Sequence, residues 1–183
     1  MILKTQRLIL RGWRDEDAPS LFKYASDSRV GPIAGWLPHR DEAYSRAVIR
    51  TIFKSRETYA ICLAGNVNEP IGSIGLTLDG SPERPLGPSE AELGYWVGVP
   101  FWGKGIATEA SGEMLRHAFE DLELEKVFAG YFQGNERSKK VQLKCGFSFH
   151  HTNERSRVPM LGEVRTEHIN AITKGEWRRM SGH

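Results

Sequence analysis

The run Gly98-Val99-Pro100-Phe101-Trp102-Gly103-Lys104-Gly105 places glycines and a lysine where a chain can meet phosphates. It nearly spells the nucleotide-hydrolysing pattern G-x-x-x-x-G-K-[ST], in which the last residue holds magnesium through a hydroxyl, but Gly105 stands there and has none. Gly103 to Thr108 also imitates the dinucleotide fingerprint G-x-G-x-x-G. Thr108 replaces its third glycine, and no acidic residue closes a following strand at the required distance. What both patterns share survives: a strand, a glycine turn with bare N–H groups, and a helix N-terminus with the positive end of its dipole. That chemistry suits a pyrophosphate. Other reactive residues are sparse. Cys62 and Cys145 stand far apart without a CxxC or histidine pairing, and His150-His151 lacks metal-ligand spacing, so neither a disulfide framework nor a metal site is expected.

The elements that must position this loop can be read along the chain. Gln6 to Trp13 reads as a strand, and Asp15-Glu16-Asp17 supplies acidic residues suited to opening a helix that runs to about Ala25. Gly31 to Pro38 reads as a loop feeding a second helix over 41–56, with Ala43, Ala47, Val48, Ile52 and Phe53 at helical spacings. Thr58 to Ala64 and Ile71 to Leu78 read as a hairpin whose connection opens with Gly65-Asn66. Asp79 to Glu90, with three prolines and two glycines, is a long connection, after which Glu92 to Val99 resumes as a strand. A helix with Ile106, Ala110, Met114 and Leu115 on one face starts directly behind the glycine loop. Then come a strand at Lys126 to Phe132, a short helix from about Arg137 to Cys145 stopped by Gly146, and strands near Phe147 to Asn153 and Val164 to Thr173. The order β-α-α-β-β-β-α-β-α-β-β describes one α/β domain over residues 1–183, built around a mixed sheet.

Composition narrows the class. Of 183 residues 39% are apolar and 26% charged, which suits an ordinary globular domain. The net charge of +2 is far from that of a strongly basic nucleic-acid binder, so any phosphate must be met locally. The first residues, interrupted by Lys4, Arg7 and Arg11, form no apolar leader core, and no stretch approaches the ~20 apolar residues of a membrane span. A cytoplasmic protein that engages neither nucleic acid nor membrane is expected, as a monomer or homodimer.

A second segment gives the loop its context. Asn135-Glu136-Arg137-Ser138-Lys139-Lys140-Val141-Gln142-Leu143-Lys144-Cys145-Gly146-Phe147 resembles the N-x-x-[AS]-x-x-[LV]-x-x-K-x-G-F signature of the GNAT superfamily of acyl-CoA N-acyltransferases, and Trp102 to Ala107 resembles its [QR]-x-x-G-x-[GA] loop for the acetyl-CoA pyrophosphate. Arg7-Leu8-Ile9-Leu10-Arg11, Ala91-Glu92-Leu93-Gly94-Tyr95-Trp96, Ala107-Thr108-Glu109-Ala110 and Ile172-Thr173-Lys174-Gly175-Glu176-Trp177 are similar to the RimJ/RimL-like branch, which acetylates N-termini of ribosomal proteins. The resemblance implies a mixed central sheet flanked by helices, with acetyl-CoA in a cleft between splayed strands. Tyr95, Trp96 and Val97 would then offer backbone groups to the pantetheine arm. Gly103, Lys104, Gly105, Ile106, Ala107 and Thr108 would supply the diphosphate cradle. Asn135 would touch the pantetheine or its neighbouring backbone, while Lys140, with Arg137 and Lys139, would screen the adenosine phosphates. Trp102 departs from the family's Gln or Arg.

For the chemistry, the resemblance implies Glu92 as the base that takes the amine proton, with Leu93, Tyr95 and Trp96 as a partly apolar setting that raises its pKa. Glu163, Glu167 and His168 are weaker candidates. Many family members carry a tyrosine seven residues after the asparagine, a position occupied here by Gln142. Ser138 is the replacement suggested by the ribosomal branch, donating a hydrogen bond to the leaving sulfur. His39 reads as a satisfied surface histidine and Cys145 as a small core residue. The expected activity is direct transfer from acetyl-CoA to a primary amine, such as that of a protein N-terminus. The alternatives are a small amine such as a polyamine or aminoglycoside, drawn by Asp79, Glu83 and Glu90, or an acyl-CoA-binding module without turnover, to which Gln142 and Trp102 point.

Overall fold

The computed structural model describes residues 1–80 and 85–182. Strands β1 (Ile2–Lys4) and β2 (Leu8–Gly12) lead into α1 (Ala18–Ala25), α2 (Gly31–Ala34) and α3 (Glu42–Thr51). Next come β3 (Thr58–Leu63), β4 (Asn66–Thr77), β5 (Glu90–Val97), α4 (Ile106–Arg116) and β6 (Lys126–Phe132). The chain closes with α5 (Glu136–Lys144), β7 (Ser148–Val158), β8 (Glu163–Thr173) and α6 (Lys174–Ser181). Among the described residues the strands form one eight-stranded mixed sheet in the order β1-β2-β3-β4-β5-β6-β8-β7. This is the α/β architecture expected, a central sheet flanked by helices. No helix of the described residues is long and apolar enough to cross a membrane.

One pairing shapes the function. β5 and β6 run parallel and pair only at Glu90 to Glu92 with Lys126 to Phe128, although the two strands continue to Val97 and Phe132. Beyond Glu92 they part, and a cleft opens at their carboxyl ends, where open α/β sheets bind ligands. The faces of β5 divide by strand alternation. Ala91, Leu93 and Val97 join the larger core with Ile106, Met114 and Leu115 of α4, while Trp96 reaches the smaller cluster formed by Leu21 of α1 and Val48 and Ile49 of α3.

Several boundaries differ from the sequence reading for identifiable reasons. The Asp41 side chain accepts the Tyr44 N–H at 2.6 Å and so sets the phase of α3, which buries Ser45, Val48 and Ile49 and leaves Ala43, Ala47 and Ile52 exposed. β4 begins at polar Asn66, because pairing with β3 through two register shifts carries the ladder past the apolar run. α2 and α6 were not expected. α6 begins with a capping box in which Thr173 and Glu176 exchange hydrogen bonds, a signature already present as Thr173-x-x-Glu176.

Candidate active site

The glycine loop folds as its residue types require. Gly103 and Gly105 have φ of +74° and +76°, a left-handed backbone that side chains rarely tolerate, and Gly105 is the N-cap of α4 with no side chain capping it. The first amides of a helix lack intrahelical acceptors, so those of Ile106, Ala107 and Thr108 stay available to an anion. Arg7, just before β2, straps the loop: its Nη1 donates to the Lys104 carbonyl at 3.0 Å while its Nε donates to Glu109 of α4 at 2.6 Å. Burial pushes the Glu109 carboxyl up, but hydrogen bonds from Thr5 and Arg7 bring it below its usual range. Trp102 donates its Nε1 hydrogen to the Val97 carbonyl at 2.7 Å, and the Arg137 guanidinium lies 3.7 Å from its ring centroid. The indole thus braces the end of β5 and holds a cation beside the loop.

The loop borders a cleft of about 240 Å³. Every residue assigned to the cofactor from sequence lines it except Lys104, whose ammonium sits 5.7 Å over the Phe101 ring, and Lys139. Arg137 and Lys144 line it too, whereas Lys139 turns toward Glu136 at 3.9 Å. A second cleft, of about 850 Å³, lies along the sheet and is lined by Glu92, Trp36, Phe53, Tyr131 and Phe132, with Asp79, Glu57 and Glu167 among its carboxylates. The two clefts share Tyr95, Trp96, Asn135 and Ser138. They also share Ile33 and Ala34 of α2, which Arg165 of β8 holds by a 2.6 Å hydrogen bond to the Pro32 carbonyl.

Glu92 is half-buried in the larger cleft, which Leu93, Tyr95 and Trp96 also line. Strand alternation puts the Trp96 side chain on the same face of the sheet as Glu92 and those of Leu93 and Tyr95 on the other. Glu163 is exposed, bonded to Arg165 and part of the lining of neither cleft, while Glu167 lines the larger one. Glu90 accepts the Gly87 N–H and braces the connection before β5, and Glu83 lies outside the described residues. His39 is buried: its Nδ1 is 2.8 Å from Ser45 Oγ, burial lowers its pKa, and Trp36 and Tyr44 pack edge-on against it. Both cysteines are buried, with thiols pushed up to about 11 by desolvation.

Asn135 caps α5 by accepting the Ser138 N–H at 3.2 Å. Ser138 Oγ lies 3.0 Å from the Tyr95 hydroxyl and 3.2 Å from Gln142 Nε2. Sequence reasoning gives Tyr95 a backbone role toward pantetheine and an apolar role beside Glu92 but not the task of its hydroxyl, because nothing in the spacing of β5 and α5 announces a contact across the parted strands. Asn170 of β8, which donates to Gln142 Oε1 at 2.8 Å, was missed for the same reason. Arg7 and Glu109 were quoted as motif residues without a task, which the strap across the loop now supplies.

Comparison with known proteins places this geometry among acetyltransferases. Residues 7–148 match the family described as Acetyltransferase (GNAT) domain. The [Ribosomal protein uS5]-alanine N-acetyltransferase of Escherichia coli is 26% identical over 184 residues, covering 96% of this chain and 92% of that one. YdaF of Bacillus subtilis is 45% identical over 58 residues, and the matched segment spans 32% of each chain. A GNAT-family acetyltransferase from Bacillus anthracis superposes with a TM-score of 0.81 at 22% identity, covering 96% of this chain and all of that one, a likeness of fold.

Proposed function

The chain belongs to the GNAT acetyltransferase family, and from that premise we propose that it transfers the acetyl group of acetyl-CoA directly to a primary amine. The acceptor is the α-amine of a protein N-terminus, and residues 1–183 work as one domain. The observation that carries this reading is the meeting of two unequal clefts, about 240 and 850 Å³, at Tyr95, Trp96, Asn135 and Ser138. The narrower takes the cofactor: the amides of 103–108 receive the diphosphate, while Lys140 and the Trp102-stacked Arg137 screen the adenosine phosphates. The wider takes the acceptor. A metal has no part in this reading.

The chemistry follows from what each side chain can do at the junction. An ammonium must lose a proton before its nitrogen can attack, and Glu92 takes that proton directly or through one water. As the C–N bond forms the nitrogen gives up a second proton to water; the tetrahedral carbon collapses, the C–S bond breaks and Ser138 donates a hydrogen bond to the departing sulfur. Both substrates reach one junction, so transfer needs no covalent enzyme intermediate. The α-amine is favoured by the breadth and aromatic walls of the larger cleft and by the uS5 acetyltransferase among the relatives. The carboxylates of Asp79, Glu57 and Glu167 in the same cleft are what favours a small polyamine instead.

The test is a screen of N-terminal peptides, polyamines and aminoglycosides for CoA release, with product masses. A peptide acetylated at its α-amine is the expected result. Acetylation of polyamines alone would transfer the assignment to small amines, and acetyl-CoA binding without release for any amine would leave a binding module.

A further inference from the structure

The hydrogen bonds around Ser138 can be followed donor by donor. Gln142 is 2% exposed, and its Nε2 lies 3.1 Å from the Gly130 carbonyl and 3.2 Å from Ser138 Oγ, while its Oε1 receives Asn170 Nδ2 at 2.8 Å. Turning the amide over would set its oxygen against the Gly130 carbonyl and its nitrogen against a donor, so its orientation is determined on two sides. Both amide hydrogens are therefore spent inside the protein, and Gln142 has none left for a ligand. Ser138 Oγ accepts one of them. Its own hydrogen must point elsewhere, either to the Tyr95 oxygen at 3.0 Å or into the junction of the clefts.

Tyr95 completes the arrangement from the other strand of the split. Its hydroxyl stands 3.0 Å from Ser138 Oγ and 3.1 Å from the Ser138 carbonyl, and it has one hydrogen to give. When that hydrogen goes to Oγ, the serine oxygen accepts from two donors and its own hydrogen is directed into the junction, where Ser138 lines both clefts. We propose that Tyr95, Gln142 and Asn170 are positioning residues that aim the Ser138 hydroxyl at the thioester sulfur, so that the leaving thiolate meets a chain of two hydroxyl donors. The proposal rests on the acyl-transfer reading above. Burial pushes the phenol up to about 12, above the range in which thiols titrate, so the phenol keeps its proton throughout. The C–S electron pair stays on sulfur, stabilised by the hydrogen bonds, and the thiolate takes its proton from water.

The experiment reads the thiol rather than turnover, so it needs no acceptor. CoA is bound to the protein and its thiolate absorbance in the ultraviolet is followed against pH for wild type, Ser138→Ala, Tyr95→Phe and the double variant, after thermal melts show each folded. Donors aimed at sulfur should make the bound thiol ~3- to 10-fold more acidic than free CoA, a shift of about 0.5 to 1 pH unit. Either single change should return most of that shift. Tyr95→Phe added to Ser138→Ala should change nothing more, because the phenol acts through the serine. A bound thiol as acidic in Tyr95→Phe as in wild type, a wild-type thiol no more acidic than free CoA, or equal Tyr95→Phe effects with and without Ser138 would each overturn the proposal, as would failure of CoA to bind. The amine screen separates this from the parent reading: lack of transfer to any amine sinks the activity and leaves the thiol titration to judge the hydroxyl chain.

Discussion

Gly105→Val is the sharpest probe of the phosphate loop. Gly105 has φ of +76°, and a Cβ built there meets only Arg7 Nη2 at 3.4 Å, the end of a flexible side chain. Space is therefore not the obstacle; the backbone is. A left-handed conformation costs an L-residue ~1–2 kcal/mol, and a β-branched one is a clear outlier there. In a chain of 183 residues that cost lowers the unliganded Tm by about 2–8 °C, at ~2–4 °C per kcal/mol, so the variant should still fold. The larger effect is on the ligand. Relief of the strain requires the peptide planes of 103–106 to turn, and the N–H groups that converge on the diphosphate turn with them. Wild type at ~100 times its Kd for acetyl-CoA gains ~2.7 kcal/mol, or about 5–11 °C. In Gly105→Val that gain should fall below about 2 °C, read by differential scanning fluorimetry with and without acetyl-CoA. A folded Gly105→Val protein with the full wild-type shift would refute the assignment of this loop to the diphosphate.

Three further outcomes are expected. Glu92→Gln should lower kcat by ~10²- to 10⁴-fold, with acetyl-CoA affinity by calorimetry unchanged and the ascending limb of the pH–rate profile lost. Arg137→Ala removes the cation stacked on Trp102 and should raise the Kd for acetyl-CoA about 5- to 30-fold, an effect that shrinks as salt is added. Asp121 is held down to about 2 by hydrogen bonds from Arg116 and His117, so its contribution to stability is present above the ordinary carboxylate value of 3.8 and is lost as pH falls through about 2. Asp121→Asn should therefore flatten the acid limb of a denaturation-midpoint series between those values, where an unaltered limb would count against the pairing.

The legible parts of this protein are those decided by a few adjacent residues. Lys126–Phe132 is a strand residue for residue as read, because Val127, Phe128, Ala129, Tyr131 and Phe132 form a short apolar run that Gly134 closes. The loop at 103–105 was legible because only glycine accepts its dihedral angles cheaply. What escaped depends on distant partners. His39 is buried because its amide donates to the Ala25 carbonyl, fourteen residues back, and its ring packs between Trp36 and Tyr44, neighbours that are local in sequence but whose approach the spacing alone does not show. The short α2 is ended by Gly35, where φ is +97° and a Cβ would lie 2.8 Å from the Phe132 ring. Which side of β5 faces the base followed from alternation alone and could have been read. That the Tyr95 hydroxyl reaches Ser138 could not, since it depends on how far two strands separate.

The parting of β5 and β6 also makes the sheet mechanically weak in one place. β1 to β5 form one antiparallel block and β6, β8 and β7 another, and three residue pairs, Glu90 to Glu92 with Lys126 to Phe128, join them by hydrogen-bonded strand pairing. An extended ligand laid into the gap would act as a strut between the blocks. Occupancy of the cleft should then decide whether the two halves open separately or as one cooperative unit, and the amides of β6 should show it first in hydrogen exchange.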